Sequence, residues 1–224
     1  MNKSKILIVL FVLALLPSIA QFIVQAMNSY GIGLAIRLFI HIFIPVIAVM
    51  YLTKGKLKES FLLPLRLKNK KETIKFAILG SLGAIIIILG AFFVFNGFGL
   101  IDFELMKLSL AKINVTSLTY PFVALAIVLI NPFLEEYFWR GFVFREFNKY
   151  STGYWTGILF AIHHTIMILS WFNWWQLIII PVFLGIVGIG FNWAYKKTES
   201  IYAMWIVHTV ADLVIVSIGF IMIF

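Results

Sequence analysis

The chain consists of long apolar runs separated by short polar stretches. Each run approaches the length of about 20 apolar residues that a helix needs to cross the hydrocarbon core of a membrane. The runs cover residues 6–27, 31–52, 74–95, 118–134, 154–171, 176–195 and 201–224. The pattern therefore predicts an all-α fold, a polytopic transmembrane helical bundle of about seven spans.

Composition supports this interpretation and excludes an ordinary soluble fold. Of the 224 residues, 62% are hydrophobic and 12% are charged, well outside the usage of soluble proteins. The 18 Lys and Arg residues outnumber the 9 Asp and Glu residues, but the spans leave no compact basic domain for nucleic acid. We therefore expect membrane lipids as surroundings and no nucleic-acid partner. The chain has no cysteine, which excludes thiol catalysis and thiolate metal sites.

The first apolar run has two interpretations. Lys3 and Lys5 precede it, and the segment 18–20 resembles the cleavage site of a signal peptide. Because the apolar character continues to Met27, we expect a retained membrane span.

Basic residues orient the predicted bundle. Seven cations lie between residues 53 and 72: Lys54, Lys56, Lys58, Arg66, Lys68, Lys70 and Lys71. The positive-inside rule places this connection in the cytoplasm. Alternate threading of the spans then puts the amino terminus in the cytoplasm and the uncharged turn 171–175 outside. We expect a multi-pass protein of the cell membrane, of bacterial origin, with its active site open to the cytoplasm.

A glycine-rich stretch lies in the sixth run. Gly185, Gly188 and Gly190 superficially resemble a nucleotide-binding fingerprint, but no strand precedes them. We interpret them as sites of close packing between helices.

Ionisable residues inside the predicted spans are few, and such residues usually have a function because their burial in lipid is costly. They are Arg37, His41, Glu135, Glu136, Arg140, His163, His164, His208 and Asp212. Arg37 and His41 are four residues apart, so we interpret them as partners in hydrogen bonds within the bundle.

Spacing predicts how the remaining groups are used. Glu136 and Arg140 lie four apart on one helix face and can pair, which leaves Glu135 available. His208 and Asp212 share a face for the same reason. Adjacent residues of a helix point about 100° apart, so we expect only one of His163 and His164 to face a common site.

The ionisable residues of the three helices lie at a similar predicted depth in the membrane. Counted from the ends that we place in the cytoplasm, Glu135, His164 and His208 each lie roughly 12–15 Å inside. A shared depth on three helices predicts one polar cavity that opens to the cytoplasm.

These residues form three motifs: Glu135-Glu136-x-x-x-Arg140, Phe160-x-x-x-His164 and His208-x-x-x-Asp212. In order and spacing they resemble the signature motifs of the CAAX-protease and bacteriocin-processing family, known as CPBP or Abi. The resemblance covers roughly residues 118–215, which divides the chain into N-terminal helices, 1–117, and an expected catalytic core, 118–224. The last motif commonly ends in Asn, so Asp212 is a mild departure.

The resemblance implies an intramembrane endopeptidase that cleaves a peptide or a lipidated protein. Glu135 and His164 would activate a water as general base, His208 and Asp212 would stabilise the oxyanion, and His163 would be secondary. Because an ionised carboxylate repels an oxyanion, Asp212 would be protonated or would orient His208. If zinc is bound, its ligands would be Glu135, His164 and His208. The spacing does not require a metal, and we expect none.

Two alternatives to this interpretation stay open. Buried Glu, His and Asp also form proton relays in transporters, although the paired repeats of carriers are not evident here. A non-catalytic role in bacteriocin immunity or regulation is the second. Other intramembrane proteases are excluded, because the sequence has no His-Glu-x-x-His motif, one aspartate in a span and no Gly-x-Ser-x-Gly elbow.

Overall fold

The computed structural model describes residues 2–53 and 56–224. These residues are 82% helical and include no strand, which confirms the all-α prediction. Lys54, one of the seven cations of the 53–72 connection, lies outside the described residues.

The described ranges contain both α-helices and short turns of other helix types. The α-helices are α1 (Lys3–Met27), α2 (Tyr30–Leu38), α3 (Ile44–Thr53), α4 (Leu57–Leu62), α5 (Lys70–Gly97), α6 (Phe103–Lys112), α7 (Tyr120–Leu129), α8 (Asn131–Phe138), α9 (Arg145–Asn148), α10 (Thr156–Ile168), α11 (Gln176–Thr198) and α12 (Tyr202–Ile223). Segments of π-helix, Phe39–Phe43 and Trp139–Phe144, join α2 to α3 and α8 to α9, and a 3₁₀ turn, Leu63–Leu65, follows α4.

Six continuous helical stretches within the described residues are long and apolar enough to cross a membrane. They are Lys3–Ile23, Gly31–Tyr51, Lys70–Gly97, Tyr120–Asn148, Gln176–Thr198 and Tyr202–Ile223. The fifth predicted span is shorter than its apolar run: α10 has 13 residues, or about 20 Å, against about 30 Å of hydrocarbon. The run is longer than the helix because turns occupy its two ends.

The helix that carries the first motif lies at the centre of the bundle. Phe138, Phe142 and Val143 have no exposed surface, and α1 covers them with Leu10 and Ala14, which are equally buried. On the other sides, α10 packs along α11 and against α1, while α12 packs along α5 and contacts α7 and α8. This packing brings α8, α10 and α12, the three motif-bearing helices, together.

The basic connection after α3 docks on the motif helix. The Tyr137 hydroxyl donates a hydrogen bond to the carbonyl oxygen of Phe61, 2.9 Å away, and Pro64 is buried against Gly141. Lys68 also forms an ion pair with Glu199, just after α11. The 56–68 segment and the 196–199 segment therefore lie at the same end of the bundle.

Candidate active site

Glu135 is the central carboxylate of the site. It lies on α8, one helical turn after Asn131, and its side chain is 1% exposed. The Asn131 amide donates a hydrogen bond from Nδ2 to Glu135 Oε1 at 2.9 Å. No donor among the described residues is aligned to hydrogen-bond the second oxygen, Oε2. One oxygen is thus held by a hydrogen bond within the helix, and the other is buried without an aligned donor in the described part of the chain.

Both histidines of α10 face this carboxylate. His164 Nε2 lies 3.2 Å from Glu135 Oε2, and His163 Nε2 lies 3.7 Å from Oε1. The expectation that only one of them faces the site is wrong in this geometry. The two rings leave the helix about 100° apart, but Glu135 lies between them, so each ring reaches a different oxygen of one carboxyl group.

A backbone hydrogen bond sets the tautomer of His164. Its Nδ1 lies 2.9 Å from the carbonyl oxygen of Phe160, and a carbonyl oxygen only accepts, so Nδ1 carries the proton and donates it. In a neutral ring Nε2 then presents a lone pair toward Glu135. The nitrogen that can take up a proton is the one beside the carboxylate.

Glu136 has two partners at the centre of the bundle. Arg140 Nη1 lies 2.9 Å from Glu136 Oε1, and both side chains are fully buried. His208, on α12, donates from Nδ1 to the same oxygen at 3.0 Å. The pair that the spacing predicts is therefore present, and it also holds the histidine of the third motif.

Aromatic rings enclose the guanidinium of Arg140. Its Cζ lies 4.3 Å from the ring centroid of Phe160 and 4.9 Å from that of Phe191. Nη2 donates to the carbonyl oxygen of Gly188 at 3.4 Å. Because these contacts reach α10 and α11 as well as Glu136, Arg140 joins three parts of the bundle.

Asp212 completes the cluster from the next turn of α12. Its Oδ1 lies 3.7 Å from His208 Nε2, and the same nitrogen lies 3.9 Å from Glu135 Oε2. His208 therefore connects the first motif, through both glutamates, with Asp212. The side chains of His164 and Asp212 are 20% and 14% exposed, so access to the cluster is on their side.

The N-terminal half contributes residues that the motifs do not include. Arg37 donates from Nη1 to Asn131 Oδ1 at 2.7 Å and from Nη2 to Gln21 Oε1 at 3.0 Å. His41 donates from Nδ1 to the Arg37 carbonyl oxygen at 2.9 Å. These are the hydrogen bonds within the bundle that we expected of Arg37 and His41. Sequence reasoning missed Asn131, although its i,i+4 spacing to Glu135 was a usable signal.

The residues that could hold a metal ion include a set that differs by one member from the expected set. Glu135, His163 and His164 each offer a ligand atom, and these atoms lie within 4.8 Å of one another. This set contains His163 where the expected set contains His208. The Nδ1 atom of His208 donates to Glu136, and its Nε2 lies 3.7 Å from Asp212 Oδ1 and 3.9 Å from Glu135 Oε2. One carboxylate and two imidazoles match the ligands that zinc takes in proteins, so the residues fit that ion.

Fold and site together define a class of protein: a polytopic helical membrane protein with a buried glutamate–histidine cluster. Residues 117–214 match the model of the type II CAAX prenyl endopeptidase Rce1-like family. Over this region the chain is therefore similar to the CAAX-type intramembrane proteases of the CPBP family, which confirms the resemblance found in the three motifs. No curated protein and no solved structure is similar enough to the chain to count as a match.

Proposed function

We propose that this protein is a glutamate-dependent intramembrane endopeptidase that hydrolyses a peptide bond in a prenylated or otherwise membrane-associated substrate. The observation that carries the proposal is the position of Glu135 among His163, His164 and His208, with all three imidazoles within 4 Å of its carboxyl oxygens. The match of residues 117–214 to the family model supports the reaction class, and the cluster supports the mechanism.

Glu135 and His164 are the groups suited to activate water. A water in contact with Glu135 Oε2 and His164 Nε2 would lose a proton to this pair as its oxygen attacks the scissile carbonyl carbon. The pair would then return that proton to the departing amine nitrogen. Asn131 holds Oε1, so the carboxyl group stays in place while Oε2 exchanges protons.

His208 is the group suited to stabilise the developing oxyanion. Its Nδ1 donates to Glu136, so only Nε2 is available to donate to a substrate oxygen. A proton on Nε2 would make that donation, which is the usual role of an oxyanion hole. Asp212 Oδ1, 3.7 Å from His208 Nε2, would orient the ring and stabilise its protonated form. Asp212 would then act on the oxyanion through the positive charge of His208 and not by direct contact.

Activation of water by Glu135 and His164 does not require a metal ion. Zinc bound by Glu135, His163 and His164 would supply a more acidic water and a Lewis acid for the carbonyl oxygen. With or without the ion, Asn131 would orient Glu135, and His208 would keep its contacts with Glu136 and Asp212.

We place the site on the cytoplasmic side of a cell membrane, as the cation distribution suggests. The exposed ends of the cluster, His164 and Asp212, would admit the extended backbone of the substrate. A peptide or a lipidated protein that lies in the membrane surface is the substrate class that fits such an opening.

Substitution of Glu135 tests the proposal directly. Purified protein in lipid nanodiscs would be assayed with an internally quenched farnesylated peptide that ends in a CAAX sequence. Glu135→Gln should lower kcat by about 10²–10⁴-fold, the usual contribution of a general base, while the melting temperature stays near that of the parent because glutamine has the same shape. Glu104→Gln, at an exposed site on α6, is the matched control. Undiminished cleavage by Glu135→Gln would exclude the mechanism.

A double variant and a metal analysis refine the same test. Groups that act as one unit fail together, so Glu135→Gln with His164→Ala should be hardly slower than either single variant. Metal content of the active protein then separates the two forms of hydrolysis. We expect no stoichiometric zinc, whereas one zinc per chain that is lost in His163→Ala would establish ligation by the α10 histidines.

A further inference from the structure

A chain of hydrogen bonds leads from the N-terminal half of the bundle to Glu135. Arg37, on α2, donates to Asn131 Oδ1, and Asn131 donates to Glu135 Oε1. Arg37 also donates to Gln21 on α1 and lies 3.6 Å from Met167 Sδ at the end of α10. The guanidinium therefore links α1, α8 and α10 at a point two hydrogen bonds from the central carboxylate.

The chemistry of the two end groups fixes the orientation of the Asn131 amide. A guanidinium has only donors, so the side-chain oxygen of Asn131 must face Arg37. The NH2 group then points to Glu135, where it donates. In the reversed orientation the NH2 group of Asn131 would face the donors of Arg37, and no hydrogen bond could form between them. The 2.7 Å distance between Arg37 Nη1 and the Asn131 side chain therefore requires that the oxygen faces Arg37.

Arg37 lies outside the part of the chain that matches the family model, and Asn131 precedes the two glutamates of the first motif by one turn. Asn131 is 8% exposed and Glu135 is 1% exposed, so water does not readily replace this donor. Loss of the Asn131 donor would leave Glu135 free to rotate about its side-chain torsions, away from His164.

We infer that Asn131 and Arg37 are positioning residues that hold the Glu135 carboxyl group in its reactive orientation. Asn131 fixes one oxygen of Glu135 so that the other faces His164 and the attacking water. Arg37 acts one step further away, by keeping the Asn131 amide turned with its donor toward Glu135. The inference rests on the proposed function and extends it to the N-terminal half of the chain.

Two substitutions of Asn131 separate positioning from structural support. In the peptide assay, Asn131→Ala should lower kcat by about 10–100-fold, as loss of an outer orienting partner typically does, with little change in KM. Asn131→Asp keeps an acceptor for Arg37, so the protein should stay as thermally stable as the parent. It presents an acceptor to Glu135 in place of the donor, so its kcat should fall at least as far. A merely structural asparagine would give the opposite result, an active Asn131→Asp variant.

Arg37 is tested through its dependence on Asn131. Arg37→Lys should retain more activity than Arg37→Met, because lysine can still donate to Asn131 Oδ1. Arg37→Met combined with Asn131→Ala should be no slower than Asn131→Ala alone, since Arg37 acts through Asn131. Asn192→Ala is the matched control for a buried asparagine: Asn192 donates to Thr156 Oγ1 and to the Tyr154 carbonyl oxygen, away from the cluster. It should lower the melting temperature and leave kcat unchanged.

A spectroscopic readout decides the inference without any substrate. In protein labelled with ¹³C-glutamate, the infrared carboxyl band that disappears in Glu135→Gln belongs to Glu135. That band should shift in Asn131→Ala and in Asn131→Asp, because the hydrogen bond to Oε1 is lost. An unshifted band together with the parent kcat would overturn the inference. Equal cleavage by the parent and Glu135→Gln, or none by the parent, would overturn the proposed function instead, and the band would still decide the role of Asn131.

Discussion

Glu135 is flanked by two neighbouring histidines whose surroundings differ. His164 is partly exposed and has a fixed tautomer, so it can contact both a substrate and Glu135. His163 is almost fully buried behind the carboxylate, 6.2 Å in ring-centroid distance from both His41 and Trp139. Both rings reach Glu135, but only His164 is at the accessible side of the cluster.

This difference predicts separate effects for the two histidines. His164→Ala should abolish cleavage with a small change in melting temperature, because the ring is at the accessible side. His163→Ala should reduce cleavage less and lower the melting temperature more, because it leaves a cavity in packed surroundings. Thermal unfolding and peptide cleavage of the two variants would be measured side by side. A stable but inactive His163→Ala variant would contradict this and would assign His163 a direct part in catalysis.

At the scale of elements, the Arg140–Glu136 pair joins the motif helix to its neighbours. Both charges are fully buried, and Glu136 also accepts from His208. Burial of two charges is costly, and a pair of this kind contributes little net stability by itself. Removal of one partner has a much larger effect, because the other charge is left without compensation.

Arg140→Ala should therefore destabilise the protein by about 3–5 kcal/mol, the usual cost of breaking a buried pair. Lower yield and a lower melting temperature in detergent would be the measured signs. Arg140→Lys keeps the charge but loses the planar contacts with Phe160 and Phe191, so it should fall between the parent and Arg140→Ala. Arg66→Ala removes an exposed arginine and serves as control. An Arg140→Ala variant as stable as the parent but inactive would place Arg140 in the chemistry.

Two glycines set the distance between α10 and α11. A Cβ atom on Gly157 would lie 2.5 Å from the backbone nitrogen of Ile189, and one on Gly188 would lie 2.6 Å from the carbonyl oxygen of Gly157. The two backbones are thus in direct contact, as in other membrane helix pairs with small residues. Gly190, two residues further, has open space around it. Of the three glycines interpreted as packing sites, Gly188 makes the close contact.

The contrast predicts opposite outcomes for two similar substitutions. Gly188→Ala should push α10 and α11 apart and destabilise the protein by about 1–3 kcal/mol, as overpacking typically does. It should also reduce cleavage, because α10 carries His163 and His164. Gly190→Ala, in the same helix, should leave both properties close to those of the parent. Equal melting temperatures for the two variants would show that the helix contact is not needed for stability.

At the scale of the whole molecule, charged connections lie at one end of the bundle. The 56–68 segment docks on the motif helix through Phe61 and Pro64 and is tied to Glu199 through Lys68. Lys196 lies 5.7 Å from the ring centroid of Tyr154, before α10. These contacts agree with the alternate threading that puts the basic connections on one side of the membrane.

Single-cysteine labelling tests which side that is, and the chain has no cysteine of its own. Glu59 and Trp174 are both exposed, and they lie in connections that the threading puts on opposite sides. A membrane-impermeant maleimide should label Trp174→Cys in intact cells and Glu59→Cys only after permeabilisation. The reverse pattern would invert the orientation of the bundle and contradict the placement of the site on the cytoplasmic side.

The positions of the helices and the contacts within a single helix follow from local sequence. The lengths of six of the seven apolar runs predict the helical stretches that can cross a membrane. The i,i+4 spacing predicts the contact between Glu136 and Arg140, because it depends only on the geometry of one helix. The shared depth of Glu135, His164 and His208 also follows from counting residues along helices. These three residues indeed lie together in the structure.

Tertiary structure alone decided how the helices are rotated and how closely they approach. Three contacts in the site join residues of different helices: His163 with Glu135, His208 with Glu136, and Arg37 with Asn131. Such contacts depend on interhelical distance and rotation, which are set by small residues such as Gly157 and Gly188 and by the packing of many apolar side chains at once. No spacing within one helix encodes them, because each helix presents several faces and only its neighbours select the one that is used.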